Sequence, residues 1–395
     1  MLKNLFTAVI GLSIALSSYA QKKDAAEIKT GYKFTPVTEL KATSVKDQAS
    51  TKTCWSFATT SFIESELLRM GKGEYDLSEM YIVRYNYIDK LHDNFLKQGN
   101  GNLGQGSLSH DWMIEFTVNG IVPDEVYTGQ NFSSQNELNS VINAIGKVAV
   151  DRRIETDLYK QVGNEILDTY LGEVPESFIY KGVRYTPKSF ASSLGINPED
   201  YVEITSFTHY PFYSMGLVPV PDNWRKVNFY NVPLNELISI MNYSLKNGFT
   251  LAWDGDVSEA GFSHWNSVAI IPETNDKNSY SSSDLKKFGP MTEGERSAEA
   301  YSFSQPFPEM NITQDLRQKW FEDESTTDDH LMHVTGLVTD QNGKTYYVTK
   351  NSWGAGSNST GGYLNMSENY VRAKTIYIMV HKNAVPEEIR KKLGF

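Results

Sequence analysis

A chain of 395 residues with a single cysteine has no intramolecular disulfide to brace it. Whatever holds it must come from buried apolar surface. That cysteine, Cys54, lies in V-K-D-Q-A-S-T-K-T-C-W-S-F-A, Val45 to Ala58. Trp55, Ala58 and Phe62 recur at helical steps, as do Ile63, Leu67 and Met70, so a helix with a buried face is predicted. Cys54 then falls at or near a helix N-terminus. Unpaired N–H groups and the helix dipole there favour an anion, so the thiol is expected to ionise more easily than a free one. A lone cysteine is equally a small buried hydrophobe. A chemical role needs other residues to converge on it.

The chain opens M-L-K-N-L-F-T-A-V-I-G-L-S-I-A-L-S-S-Y-A. Lys3, an apolar run from Leu5 to Leu16, and small Ser18 and Ala20 read as a cleaved secretory signal over residues 1–20. The run is about a dozen residues, short of the ~20 that span a bilayer. The expectation is an exported protein, periplasmic or secreted, and not transmembrane once the signal is gone. Hydrophobic residues make up 40% and aromatics 12%, which describes a globular chain. A net charge of −11 without a basic run speaks against nucleic acid as a partner.

Four stretches are expected from the pattern: the leader; an arm and helical part over 21–130; a mixed helix and loop insertion over 131–245; and a β-rich part over 246–395. Leu77 to Leu96 and Ser109 to Asn119 read as helices, and Pro233 to Lys246 as a helix with one apolar face. Phe249 to Trp253 reads as a strand. Thr274 to Ser297, polar and serine-rich, reads as an exposed loop. The glycine-rich run Gln98 to Gly106 lacks the G-K-S/T ending of a phosphate cradle, so Gly104 and Gly106 are candidates for close approach by a substrate backbone.

The second informative stretch is H-L-M-H-V-T-G-L-V-T-D-Q-N-G-K-T-Y-Y-V-T-K-N-S-W-G, His330 to Gly354. Two strands flank a turn at Asp340 to Gly343. Counting outward from Asn342 sets His333 opposite Asn351, with Trp353 on the same face to cover the pair. A bulge would break that count. Metal binding by Asp328, Asp329, His330 and His333 is the rival, disfavoured because the two histidines would point to opposite faces of one strand. No cofactor is implied.

These side chains make one chemistry together. A Cys54 thiolate is a nucleophile, and imidazole is its natural proton acceptor. Asn351 would hold the ring in one tautomer. Gln48 with the Cys54 backbone N–H would hold an oxyanion. Q-x5-C-W-x-F, then M-H-V, then K-N-S-W-G, in that order, resembles the papain-like cysteine peptidases. The resemblance implies an α+β fold with a helical and a β-rich, barrel-like subdomain. It also implies Cys54 as nucleophile, His333 as base, Asn351 as orienting residue, Gln48 as oxyanion donor and Trp353 as shield. Cys54 and His333 are 279 positions apart, against about 130–150 in the usual members. Such an insertion is similar to the bleomycin hydrolase and aminopeptidase C branch, as are Gly104-Gln-Gly106, N-G-I-V-P, the stretch Leu245 to Val257 and V-P-E-E-I near the end. That branch implies aminopeptidase action on a peptide substrate and hexamer assembly. Two departures stand out: Lys52 replaces a glycine of the motif, and the chain stops soon after V-P-E-E where the branch has an arm that enters its own cleft. Two rivals follow: an endopeptidase with an open cleft, and a catalytically silent peptide-binding protein.

Overall fold

The structure is a computed structural model and describes residues 30–130 and 135–395. The expected leader at 1–20 lies outside the described residues. The chain begins with β1 (Thr35–Glu39) and α1 (Cys54–Arg69). Every residue of α1 from Cys54 to Leu67 is buried. A helix covered all round is a central one, and its Ala58, Thr59, Thr60, Ser61 and Ser65 are small enough for neighbours to approach closely. Next come α2 (Glu79–Leu96) and α3 (Ser109–Asn119). Ser78 Oγ caps α2 by accepting from the N–H of Tyr81 at 3.0 Å. Gly120 ends α3 at φ +84, a left-handed value where a side chain would be strained. The helices α4 (Asn136–Arg152) and α5 (Thr156–Leu171) pack on α2. A small hairpin, β2 (Phe178–Tyr180) and β3 (Val183–Tyr185), leads to α6 (Pro187–Leu194).

The second half is built on one large sheet. Its members in chain order are β4 (Tyr201–Thr205), β5 (Met215–Leu217), β6 (Asn228–Asn231) and, after α7 (Leu234–Lys246), β7 (Leu251–Gly255). Then follow β8 (Phe262–Ser263), β9 (Val268–Ala269), α8 (Ser282–Phe288), α9 (Glu293–Ala300) and α10 (Gln314–Glu322). The chain closes with β10 (His330–Thr339), β11 (Thr345–Lys350), β12 (Tyr363–Ser367), α11 (Glu368–Lys374), β13 (Thr375–His381) and α12 (Glu387–Leu393). The spatial order is β5-β6-β4-β13-β7-β10-β11-β12-β9-β8, with β1 also paired to β10. Strand alternation divides the core. Ala252, Leu331 and Tyr377 face the side that α1 covers, while Trp253, Met332 and Ile378 face the side that α7 covers.

The α+β class is therefore what the sequence predicts. Two local expectations change. Residues 131–245 divide between the two sides: α4 to α6 extend the helical part, whereas β4 to β6 add strands to the large sheet. The serine-rich stretch 274–297 carries α8 and α9 rather than a bare loop. Its polar residues are helix caps. Ser281 Oγ accepts from the N–H of Asp284, and Thr292 forms a capping box with Glu295. Among the described residues no helix is long and apolar enough to cross a membrane.

Candidate active site

The N-terminus of α1 opens onto a cleft of about 510 Å³ lined from both halves of the molecule. From the first half come Gln48, Lys52, Cys54, Gly104 and Gly106, and from the second Asp328, His330 and Trp353, among others. The loop before α1 and the strand end after β11 are stitched together. The N–H of Gln48 donates to the carbonyl of Ser352 at 2.8 Å, and that of Gly354 to Lys46 at 3.0 Å. Ser352 Oγ donates to Gln48 Oε1 at 2.6 Å. The Gln48 amide donates in turn to the carbonyl of Thr51 at 2.8 Å. One amide hydrogen of Gln48 is thereby used and the other is left for the cleft.

Cys54 is the first residue of α1 and is 8% exposed. Its backbone N–H belongs to the first turn and has no acceptor within the helix. The expectation of an easily ionised thiol meets an opposing effect. Burial pushes the Cys54 thiol up to about 12, and Asp222, Asp254 and Asp328 add to the rise, while a hydrogen bond from the backbone of Leu331 works against it.

The sequence count placed His333 beside Asn351, and the structure corrects this. Pairing from Thr339–Thr345 to Gly336–Val348 follows the predicted register, but it shifts between Val334 and Gly336. His333 therefore lies opposite Lys350. Its ring is fully buried on the α1 face, with Nδ1 2.9 Å from Ser61 Oγ, two helical turns below Cys54 and about 10 Å along the axis. Lys350 Nζ donates to the same hydroxyl at 2.7 Å. Burial, then Lys350, holds the His333 imidazole well below its ordinary range. A bulge moves every later residue to the other face, and the one at Thr335 gives Asn351 a different histidine.

That residue is His330, three positions earlier and on the opposite face of β10. Its Nε2 is 2.8 Å from Oδ1 of Asn351. The orientation of the carboxamide is fixed because the N–H of Ser352 also donates to Oδ1 at 2.8 Å. Oδ1 can only accept, so Nε2 carries the proton and Nδ1 is the basic nitrogen. Trp353 covers the ring with centroids 5.0 Å apart. Burial pushes the His330 imidazole down to about 4. Alone, neither a thiolate nor an imidazolium is favoured here, but both groups line the same cleft, where opposite charges formed together would compensate each other.

The structure thus brings Cys54, Gln48, Trp353, Gly104 and Gly106 to one cleft, with Asn351 behind His330, and leaves His333 outside it. Gly104 and Gly106 line the cleft together with His330; their carbonyls accept from buried Lys90, and a Cβ on Gly106 would run into the Asp222 carboxylate. The signal for His330 was present in Gly336. A glycine inside a strand marks a bulge, and here a Cβ at Gly336 would collide with the carbonyl of Thr38 on β1. Sequence reading also passed over His264, whose Nδ1 is 3.3 Å from Asn351 Nδ2.

The chain is similar to several known proteins. Residues 34–169 match the papain family cysteine protease model, and residues 263–394 match the Peptidase C1-like family. The first segment carries Gln48 and Cys54, the second His330 and Asn351. Cysteine proteinase 2 of Entamoeba histolytica is 29% identical over 38% of this chain and 46% of its own length. The match thus spans under half of that relative. Cysteine proteinase 1, mitochondrial, of Saccharomyces cerevisiae is 22% identical over 91% of this chain and 79% of its own. The crystal structure of pepw from Lactobacillus rhamnosis is 20% identical, with a TM-score of 0.67 covering 91% of this chain and 84% of that one. This last likeness carries the fold.

Proposed function

Since the chain is a papain-like C1 cysteine peptidase, we propose that it belongs to the bleomycin hydrolase branch and cleaves peptide bonds through a thioester on Cys54, with His330 rather than His333 as the base. The observation that carries this reading is the His330–Asn351 bond at 2.8 Å in the cleft that Cys54 lines.

The steps follow from the groups in place. The Cys54 sulfur attacks the scissile carbonyl while its proton passes to Nδ1 of His330. The oxyanion is held by the free amide hydrogen of Gln48 and the backbone N–H of Cys54. The imidazolium then protonates the leaving amine, which departs and leaves an acyl thioester. Water, deprotonated by the same ring, attacks the thioester and restores the thiol. Asn351 keeps Nε2 protonated throughout, and Trp353 shields that bond from solvent.

Aminopeptidase action is the first reading of which bond is cut, supported by the resemblance to the branch. A second reading is cleavage of internal bonds, since among the described residues none after Trp353 lines the cleft. Export and assembly into hexamers belong to the same proposal. Kinetics on matched peptides with free and acetylated amino ends test the specificity. A strict aminopeptidase leaves the acetylated peptide intact. Stoichiometric labelling of Cys54 by an epoxysuccinyl inhibitor tests the nucleophile, and an unlabelled thiol with no turnover would favour a silent binding protein.

A further inference from the structure

β5 and β6 pair antiparallel at one edge of the large sheet, yet the loop that joins them, residues 218–227, is anchored in the other half of the molecule. Arg225 Nε donates to Asp111 Oδ1 of α3 at 2.6 Å. Its Nη2 donates to Glu115 Oε1 of α3 at 2.6 Å and to Asp89 Oδ2 of α2 at 2.7 Å. A planar guanidinium held by three carboxylates has little freedom to swing. Trp224 beside it is buried. The indole Nε1 donates to Ser107 Oγ at 3.0 Å, and the Trp224 carbonyl accepts from Lys97 Nζ at 2.9 Å. Asn223 closes the neck of the loop. Its carboxamide donates to the carbonyls of Val218 at 3.1 Å and Val227 at 2.9 Å, and accepts from the N–H of Val227 at 2.9 Å. Loops move when few contacts hold them; this one is held at three successive residues.

The tip of this loop stands in the cleft. Pro221 and Asp222 line it together with Cys54, Gly104 and Gly106. Asn102 Nδ2 ties the tip to the glycine-rich run, donating to the carbonyl of Pro221 at 2.8 Å and to Asp222 Oδ1 at 3.3 Å. The Asp222 carboxylate takes the space that a Cβ on Gly106 would need. A second cavity of about 690 Å³ adjoins the cleft, walled by Pro219, Val220 and Pro221 of the loop and by Phe321, Thr326 and Asp328, among others. Pro221 and Asp328 line both cavities. A peptide that filled the cleft and ran on into the second cavity would therefore pass between these two residues. The rings of Pro219 and Pro221 fix φ at two positions of the tip, which stiffens it against bending aside.

We propose that the 218–227 loop is a fixed bar that ends the cleft between Pro221 and Asp328, so that a bound peptide must have one of its ends within a few residues of the bond to be cut. This rests on the peptidase reading and deepens it: the substrate class becomes chain ends, and chain interiors are refused. The anchors explain why the bar stays shut. Moving the tip out of the cleft would pull Arg225 from three carboxylates and Trp224 from its buried seat, and a substrate gains nothing there to offset the loss.

The test maps where cuts fall. The full chain is given a set of synthetic dodecapeptides with free ends, and the first products are read by mass spectrometry. The expected result is that about nine cuts in ten lie within about three residues of one and the same end. The aminopeptidase reading expects the amino end; the carboxyl end would keep the bar and reverse that reading. Replacing Pro219-Val220-Pro221-Asp222 by Gly-Gly removes the tip but keeps Asn223, Trp224 and Arg225, and should raise the share of interior cuts at least fivefold. Pro219→Gly combined with Pro221→Gly keeps the loop's length and every anchor, should raise that share at least twofold, and serves if the shortened loop does not fold. Interior cuts by the unmodified chain as frequent as terminal ones, or a terminal pattern unchanged in a folded variant, overturns the bar. No product from any peptide, with Cys54 unlabelled by the epoxysuccinyl inhibitor, overturns the peptidase reading and the bar with it, so the two fail by different results.

Discussion

Nε2 of His330 donates to Oδ1 of Asn351 at 2.8 Å, and this single bond decides which ring nitrogen is left to take a proton. His333, although only three residues away, spends its Nδ1 on Ser61. The two histidines of one strand therefore divide into a candidate base and a packing residue.

His330→Ala should lower kcat by about 10³-fold or more, because the proton acceptor and later donor is lost. His333→Ala should leave kcat within about tenfold but destabilise the fold by about 2 kcal/mol or more, since it opens a void and strands Ser61 and Lys350. Steady-state kinetics beside urea unfolding of both variants checks this. A folded His333→Ala protein without turnover, next to an active His330→Ala protein, would reverse the assignment.

How far the sequence reads the molecule is visible in this pair. Periodicity locates α1, α3 and α7, and the turn at Asp340 to Gly343 locates the hairpin, because those elements are set by local pattern. Gln48, Cys54, Asn351 and Trp353 follow from motif and order. The identity of the histidine does not, because strand parity is a non-local property. One extra residue at Thr335, forced where Gly336 meets the backbone of Thr38 on β1, changes every facing beyond it. The pKa of Cys54 was illegible for a similar reason. The helix terminus is local, but the burial that opposes it comes from the second half of the chain.

Asn351→Ala should slow turnover by about 10²-fold while leaving the thiol present and alkylable, since the ring loses its enforced tautomer but not its basicity. The discriminating measurement is kcat against KM. A rise in KM alone would mean that Asn351 binds substrate rather than orienting His330.

Gln48→Ala should cost about 10²- to 10³-fold in kcat, the usual range for one oxyanion donor. Because Ser352 Oγ donates to Gln48 Oε1, Gln48→Glu keeps that acceptor while removing the amide donor. Both variants losing activity to a similar degree supports the oxyanion role. Full activity in Gln48→Glu would sink it.

The two buried histidines should each withdraw stability on mild acidification. Burial holds His330 at about 4 and His333 well below the ordinary 6.5. Below pH 6.5 the unfolded chain takes up protons that the folded chain refuses. The contribution of both groups is thus complete above about pH 6.5 and is lost as the pH drops toward 4. Urea midpoints measured from pH 7 to pH 5 should therefore fall more, or rise less, in the parent than in His333→Gln. Parallel slopes for the two proteins would show that His333 is not the titrating group.

The stitching of Gln48 to Ser352 and of Lys46 to Gly354 has a mechanical consequence. It clasps the lip that presents sulfur to the lip that presents imidazole, so the jaws of the groove have no hinge between them at that point. Pro221 and Asp222, which line the same groove, lie outside that clasp.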